Sequence, residues 1–294
     1  MKAETKTRTI RNLIIFVICI IAIPWLGWGL DVHRGFDSHQ QDGSLGWLFF
    51  ILTPLATALL LRAFAGDGWQ DFGLKPAFKG NGKWYLFALL FHPLSMLVII
   101  LLGYVCGAIS IPDTSSAKLG LVGQTILLGI LPSLIKNIFE EFAWRGYLTP
   151  KVQSIIEKPL LGHVLVGIIW LSWHLPYYLV LMSPDVLQKS TGLGMGTFLL
   201  LGLVGIIPTA IVYGELRLWT NSVWPALIIH VTANVFFDTL ILLKFFSFSS
   251  ASNEVLFAPG LYGVIVIAIN TAAGVWLYRQ RMQKQRPEKV GSHA

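Results

Sequence analysis

Phe139-Glu140-Glu141-Phe142-Ala143-Trp144-Arg145-Gly146 lies within a long apolar segment that begins near Leu119, and the rest of the chain is read from it. Ionisable side chains are expensive in such a segment. Each charge costs roughly 2.5–3.5 kcal/mol at the centre of a membrane helix on insertion scales, so these groups face a cavity or a partner. Helical spacing sorts them. Glu141 and Arg145 are i,i+4 neighbours and can pair in place as a structural support. Lys136 has the same relation to Glu140, but Glu140 is turned about 100° away from Glu141. The plain reading of Glu140 is a salt bridge to Lys136. A functional reading needs partners from other segments.

Composition supplies the setting for those partners. The chain is 54% hydrophobic and 13% charged over 294 residues, with a mean hydropathy of +0.66. That describes an all-α, polytopic membrane bundle and not a soluble globule. The net charge of +7 does not point to nucleic acid, because the basic residues flank apolar runs and act as an orientation signal. Cys19 and Cys106 both fall in apolar segments, so neither a disulfide framework nor a cysteine metal site is expected.

Hydropathy predicts about eight spans in one domain over residues 1–294: Asn12–Leu30, Leu45–Leu61, Trp84–Ser110, Leu119–Tyr147, His163–Met182, Thr197–Tyr213, Val223–Phe237 and Val255–Tyr278. The first follows a basic tail, but it is long enough to span and no clear small-x-small site follows. It is read as an uncleaved anchor. The third is longer than a bilayer needs and is expected to tilt or extend beyond it. The aromatics and lysines of the 62–83 segment suit a stretch lying at the membrane surface. With both termini cytoplasmic, only Arg34, Lys118, Lys189 and Lys244 fall on outer loops, and Lys136 within a span. Seven or nine spans would place a basic tail outside, so the positive-inside rule favours eight, in the cell membrane.

Two later spans each carry a histidine: Trp170-Leu-Ser-Trp-His174 and His230-Val-Thr-Ala-Asn234. With the first stretch they read EExxxR, WxxxH and HxxxN, in that order, on separate spans. This set resembles the CPBP family of intramembrane proteases, which includes the type II CAAX prenyl endopeptidases and bacterial relatives linked to bacteriocin self-immunity. The family's motifs are EExxxR, FxxxH and HxxxN/D. The resemblance covers about Leu119 to Asp238, the motif core. Trp170 stands where the family has phenylalanine, which keeps an aromatic wall but enlarges the ring. The resemblance implies an intramembrane endopeptidase whose partners are membrane lipid and a membrane-associated or prenylated peptide.

The motif residues also agree in depth. Along their helices Glu140 lies roughly 15 Å from Pro150, His174 roughly 18 Å from Gly162, and His230 roughly 12 Å from Ser222. In a core roughly 30 Å thick, all three sit near the middle, which suggests one cavity opening to the cytosol.

Peptide hydrolysis there needs an activated water and a stabilised oxyanion. Glu140 and His174 are expected to hold and activate the water, with Glu140 as base. His230 and Asn234, i,i+4 on one face, are expected to donate to the oxyanion. The family resemblance implies the same division. A water activated by glutamate needs no cofactor, and Glu141, Arg145 and Trp170 are read as support. The alternative is a zinc protease using Glu140, His174 and His230, acceptable ligand types. No HExxH accompanies them, and EExxxR is not a zinc spacing. Two readings from other classes remain: an ion-coupled carrier, for which no paired inverted repeat is apparent, and a non-enzymatic immunity or partner-binding protein. His92 and His163 are read as structural, each bonding a neighbouring helix. Asp238 is placed at the outer boundary, and Trp47, Trp84, Trp219 and Trp224 in an interfacial belt.

Overall fold

The computed structural model describes residues 3–183, 185–187 and 191–285. Met1, Lys2, Lys189 and the tail beyond residue 285, which entered the charge pattern, lie outside the described residues. The chain is an all-α, multi-pass membrane bundle. Its long helices are α1 (Ala3–His33), α2 (Leu45–Phe64), α3 (Gly82–Val105), α4 (Ser116–Ala143), α6 (Pro159–Pro176), α7 (Met195–Thr220), α8 (Trp224–Leu242) and α10 (Val264–Lys284). Two short helices are α5 (Thr149–Ile155) and α9 (Ala251–Phe257). Two wide, π-type turns extend α4 and α6: Trp144–Leu148 and Tyr177–Leu181. One two-stranded pairing, β1 (Ile109–Ser110) with β2 (Ser247–Phe248), ties the segments after α3 and α8.

Local chemistry starts these helices where the chain leaves the apolar phase. Ser44, Ser115 and Ser250 each accept a backbone N–H from the first turn that follows. Pro159 and Pro225 sit in first turns, where a missing N–H is tolerated.

Seven helical runs among the described residues are long and apolar enough to cross a membrane. The eighth expected span divides. Val255–Phe257 ends α9, a turn containing Gly260 (φ +86°) follows, and the helix restarts at Val264. The apolar part of α10, Val264–Tyr278, is then about 22 Å long, short of a core roughly 30 Å thick. α10 nevertheless packs along α7, where Gly274 meets Ile211.

Several boundaries also move. α3 stops at Val105, so the third span is shorter than expected. Helix continues from α4 through the wide turn and α5 to Ile155, so the connection between the spans expected to end at Tyr147 and begin at His163 is reduced to the residues before Pro159. The polar residues Glu215 and Arg217 marked a connection between spans, yet α7 runs through them to Thr220. Both are buried against partners from other elements, so the helix has no need to break there.

The 62–83 segment does not simply lie on a surface. Arg62 is in the last turn of α2 and is buried, and the loop behind it folds over the ends of α4, α7 and α8. Phe72, 3% exposed, packs against Gly146, where a Cβ would stand 2.7 Å from its ring. Arg217 donates to the Asp71 carbonyl at 2.6 Å, Val223 N–H to the Gly73 carbonyl at 3.0 Å, and Trp224 Nε1–H to the Leu74 carbonyl at 2.6 Å. Asp71 is bonded to Arg62 at 2.7 Å and paired with Lys151 at 3.1 Å. Burial pushes its carboxyl up, but the Arg62 bond and charge, with Lys151, outweigh this and hold it below the usual carboxylate range. The expected tryptophan belt is also partly internal. Trp84 is buried and packs against Trp219 with ring centres 4.8 Å apart.

α7 runs through the middle of the bundle, against α6, α8 and α10, while α8 packs on α3 and α4. This places the WxxxH helix α6, the EExxxR helix α4 and the HxxxN helix α8 around one centre.

Candidate active site

Glu141 is the innermost acid. Its Oε1 accepts a hydrogen bond from Arg145 Nη1 at 2.8 Å, the pair the spacing indicated, and a second from His230 Nδ1 at 2.7 Å. The Arg145 guanidinium also lies 4.3 Å from the Trp170 ring centre and 4.9 Å from that of Tyr213. One carboxylate and two aromatic faces therefore hold a fully buried cation. Glu141 thus does more than cancel Arg145: it orients the histidine of the third motif. Helical spacing could not show that bond, because the partners are 89 residues apart.

Glu140, 3% exposed, projects toward a different set of groups. Its Oε2 accepts the indole Nε1–H of Trp170 at 3.2 Å. Lys136 Nζ stands 3.3 Å from Oε1, as the plain reading allowed. That contact is a charge pair without hydrogen-bond alignment, and Oε1 has no hydrogen-bond partner among the described residues.

The histidine tautomers follow from their partners. His174 Nδ1 lies 3.0 Å from the Trp170 carbonyl, which can only accept, so Nδ1 carries the proton. In the neutral ring His174 Nε2 keeps a lone pair. The ring is stacked on Tyr178 at 5.6 Å. His230 Nδ1 faces a carboxylate oxygen and carries a proton for the same reason. Its Nε2 becomes a donor only when the ring is an imidazolium.

Asn234 Nδ2 donates to Asn137 Oδ1 at 3.1 Å, and Asn137 Nδ2 donates to Ser133 Oγ at 3.1 Å. Nδ2 of Asn234 carries a second hydrogen that this bond does not use. Sequence reasoning missed Asn137. The available signal was an amide inside an apolar span, one turn before Glu140 on the same face. Tyr213 was missed as well. It sits within a run that reads as plain span, yet its hydroxyl meets His92 Nε2 at 3.0 Å and its ring backs both Arg145 and His230.

The structure brings Glu140, His174, His230 and Arg145 around the single side chain of Trp170. The ring centres of His174 and His230 are 6.2 Å and 5.5 Å from its own. Asn234 joins from the next turn of α8. The accessible side of this group is not toward the loop that covers Gly146. Lys136, its side chain 51% exposed, lies one turn back along α4, and exposed Asp238 lies one turn further along α8. Both are on the side away from that loop.

His163 takes no part: its Nε2 bonds Glu215 at 2.9 Å elsewhere in the bundle. Among the described residues no three His, Cys, Asp or Glu side chains are grouped so as to hold a metal ion. Glu140, His174 and His230, the set considered for zinc, are not gathered as ligands.

Residues 122–236, less than half of the chain, match the family described as type II CAAX prenyl endopeptidase Rce1-like. The match covers all three motifs and supports a CPBP-family protease, in general terms an intramembrane CAAX-type endopeptidase. No curated protein matches the chain.

Proposed function

We propose that the chain is a metal-independent intramembrane endopeptidase that hydrolyses a peptide bond in a membrane-associated or prenylated substrate. The observation that carries this reading is a pair of acceptors with no hydrogen-bond donor among the described residues, Glu140 Oε1, which has only the Lys136 charge beside it, and His174 Nε2, both set beside one indole. A water donating one hydrogen to each turns its lone pair outward, toward a substrate carbonyl. Glu140 takes the water proton as the C–O bond forms. The oxyanion accepts the second Nδ2–H of Asn234 and the Nε2–H of an imidazolium at His230, whose charge the Glu141 carboxylate balances. Glu140 then delivers its proton to the leaving nitrogen as the C–N bond breaks, and the resting state returns. Substrate enters past Lys136 and Asp238, the accessible polar residues. The protein sits in the cell membrane with both termini cytoplasmic, which takes α10, packed along α7, as the eighth crossing.

The test is cleavage of a lipidated and unlipidated peptide library in vesicles holding wild type or Glu140→Gln, each before and after exhaustive chelation. The expected result is cleavage by wild type in both conditions and none by the variant. Equal products from both proteins would show a contaminating enzyme. Activity lost on chelation and restored by stoichiometric Zn²⁺ would establish the zinc alternative.

A further inference from the structure

We infer that Trp170 is a positioning residue for Glu140, acting through its indole N–H, in addition to serving as an aromatic wall. The inference rests on the endopeptidase reading above. The indole donates to Oε2 at 3.2 Å, with both side chains buried. A carboxylate on a flexible stem has two equivalent oxygens. A fixed donor on one of them sets the plane of the group and leaves the other, Oε1, with the Lys136 charge beside it but no hydrogen bond, as the oxygen that meets water. The same residue's carbonyl accepts His174 Nδ1–H, which sets the tautomer that leaves Nε2 free. Both acceptors of the water site therefore depend on one residue, one through its side chain and one through its backbone.

The indole is itself held on several sides. Its face covers Arg145 at 4.3 Å, and the His230 ring meets it nearly edge-on at 5.5 Å and 78°. A phenylalanine here would keep the carbonyl, the cation contact and most of the wall. It would lack only the donor. The WxxxH form of this motif is thus a chemical change as well as a steric one.

Trp170→Phe and replacement by 3-benzothienylalanine, which keeps the bicyclic shape with sulfur in place of N–H, test the donor separately from the ring. Both variants are expected to lower kcat by about ten- to a hundredfold and leave KM within about twofold, as for loss of a hydrogen bond to a charged group. The Trp170 indole resonance in ¹⁵N-labelled protein, assigned by its loss in Trp170→Phe, is expected to move upfield in Glu140→Gln. A benzothienyl variant with wild-type kcat, or a resonance that does not move, overturns the inference and leaves the endopeptidase reading intact. A wild type that cleaves no peptide while the resonance still moves overturns the endopeptidase reading and leaves the indole–carboxylate bond standing.

Discussion

The bundle buries two groups built from glutamate, histidine and arginine, and they are completed differently. Around Glu215 every charge is answered. Arg281 donates to both oxygens at 2.5 and 2.8 Å, and His163 donates to Oε1 at 2.9 Å. Gly214 makes room for this, since a Cβ there would stand 2.4 Å from the His163 ring. The group joins α6, α7 and α10 and has no oxygen left to react. Around Glu140 and Glu141 neither acid is saturated: Arg145 and His230 both bond Oε1 of the inner acid and leave its Oε2 without a hydrogen bond, while the outer acid has the indole on Oε2 and only the Lys136 charge beside Oε1. Buried charge alone therefore does not mark a reactive site. A carboxylate bonded through both oxygens, as Glu215 is, serves as a cross-link; of the two acids bonded through one oxygen, Glu140 is the one beside the partly exposed Lys136.

Substitutions can break this contrast in order of effect. Glu140→Gln is expected to lower turnover by roughly 10⁴-fold, the upper range for a general base, with the thermal midpoint of the solubilised protein unchanged. A midpoint that falls sharply instead would make Glu140 a second cross-link. Glu215→Ala is expected to do the reverse. It leaves Arg281 and His163 uncompensated, so stability falls by about 3–5 kcal/mol, read by denaturant unfolding, while kcat per folded molecule is retained. An equally stable but inactive variant would refute the distinction.

Asn234→Ala sharpens the picture on the reactive side. Loss of one oxyanion donor is expected to lower kcat by roughly 10²–10³ with little change in KM. A raised KM at constant kcat would assign Asn234 to substrate binding.

The smallest effect concerns the loop that covers Gly146. Asp71, partly exposed and held below the usual carboxylate range after burial is offset by Arg62 and Lys151, contributes under about 1 kcal/mol once solvent screening is allowed for. Its folded value is depressed, so the contribution is present above the unfolded carboxylate range and is lost as pH falls through the folded value. The midpoint gap between wild type and Asp71→Asn should be seen at neutral pH and close in acid. A gap that persists after Asp71 is protonated would point to the shape of the loop as its cause.

Most helices were legible because hydropathy and length register directly in a bilayer, and the Glu141–Arg145 bond because both partners lie on one helix. Glu215 and Arg217 misled, since polarity near a span end resembles a loop until their distant partners are known. Val255–Tyr278 misled in the opposite direction: its apolar run hides the turn at residues 258–263.

The sequence by itself determined the membrane class, the order of the motifs and which residues share a helix face, because these depend on local spacing and on the solvent each residue prefers. Only the tertiary structure decided which acid orients His230, which oxygen of Glu140 is left without a hydrogen bond, and that Trp170 donates to the other. Those are contacts across α4, α6 and α8 between residues 30 and 89 positions apart. Helical periodicity carries no information at that separation; packing of the helices sets it.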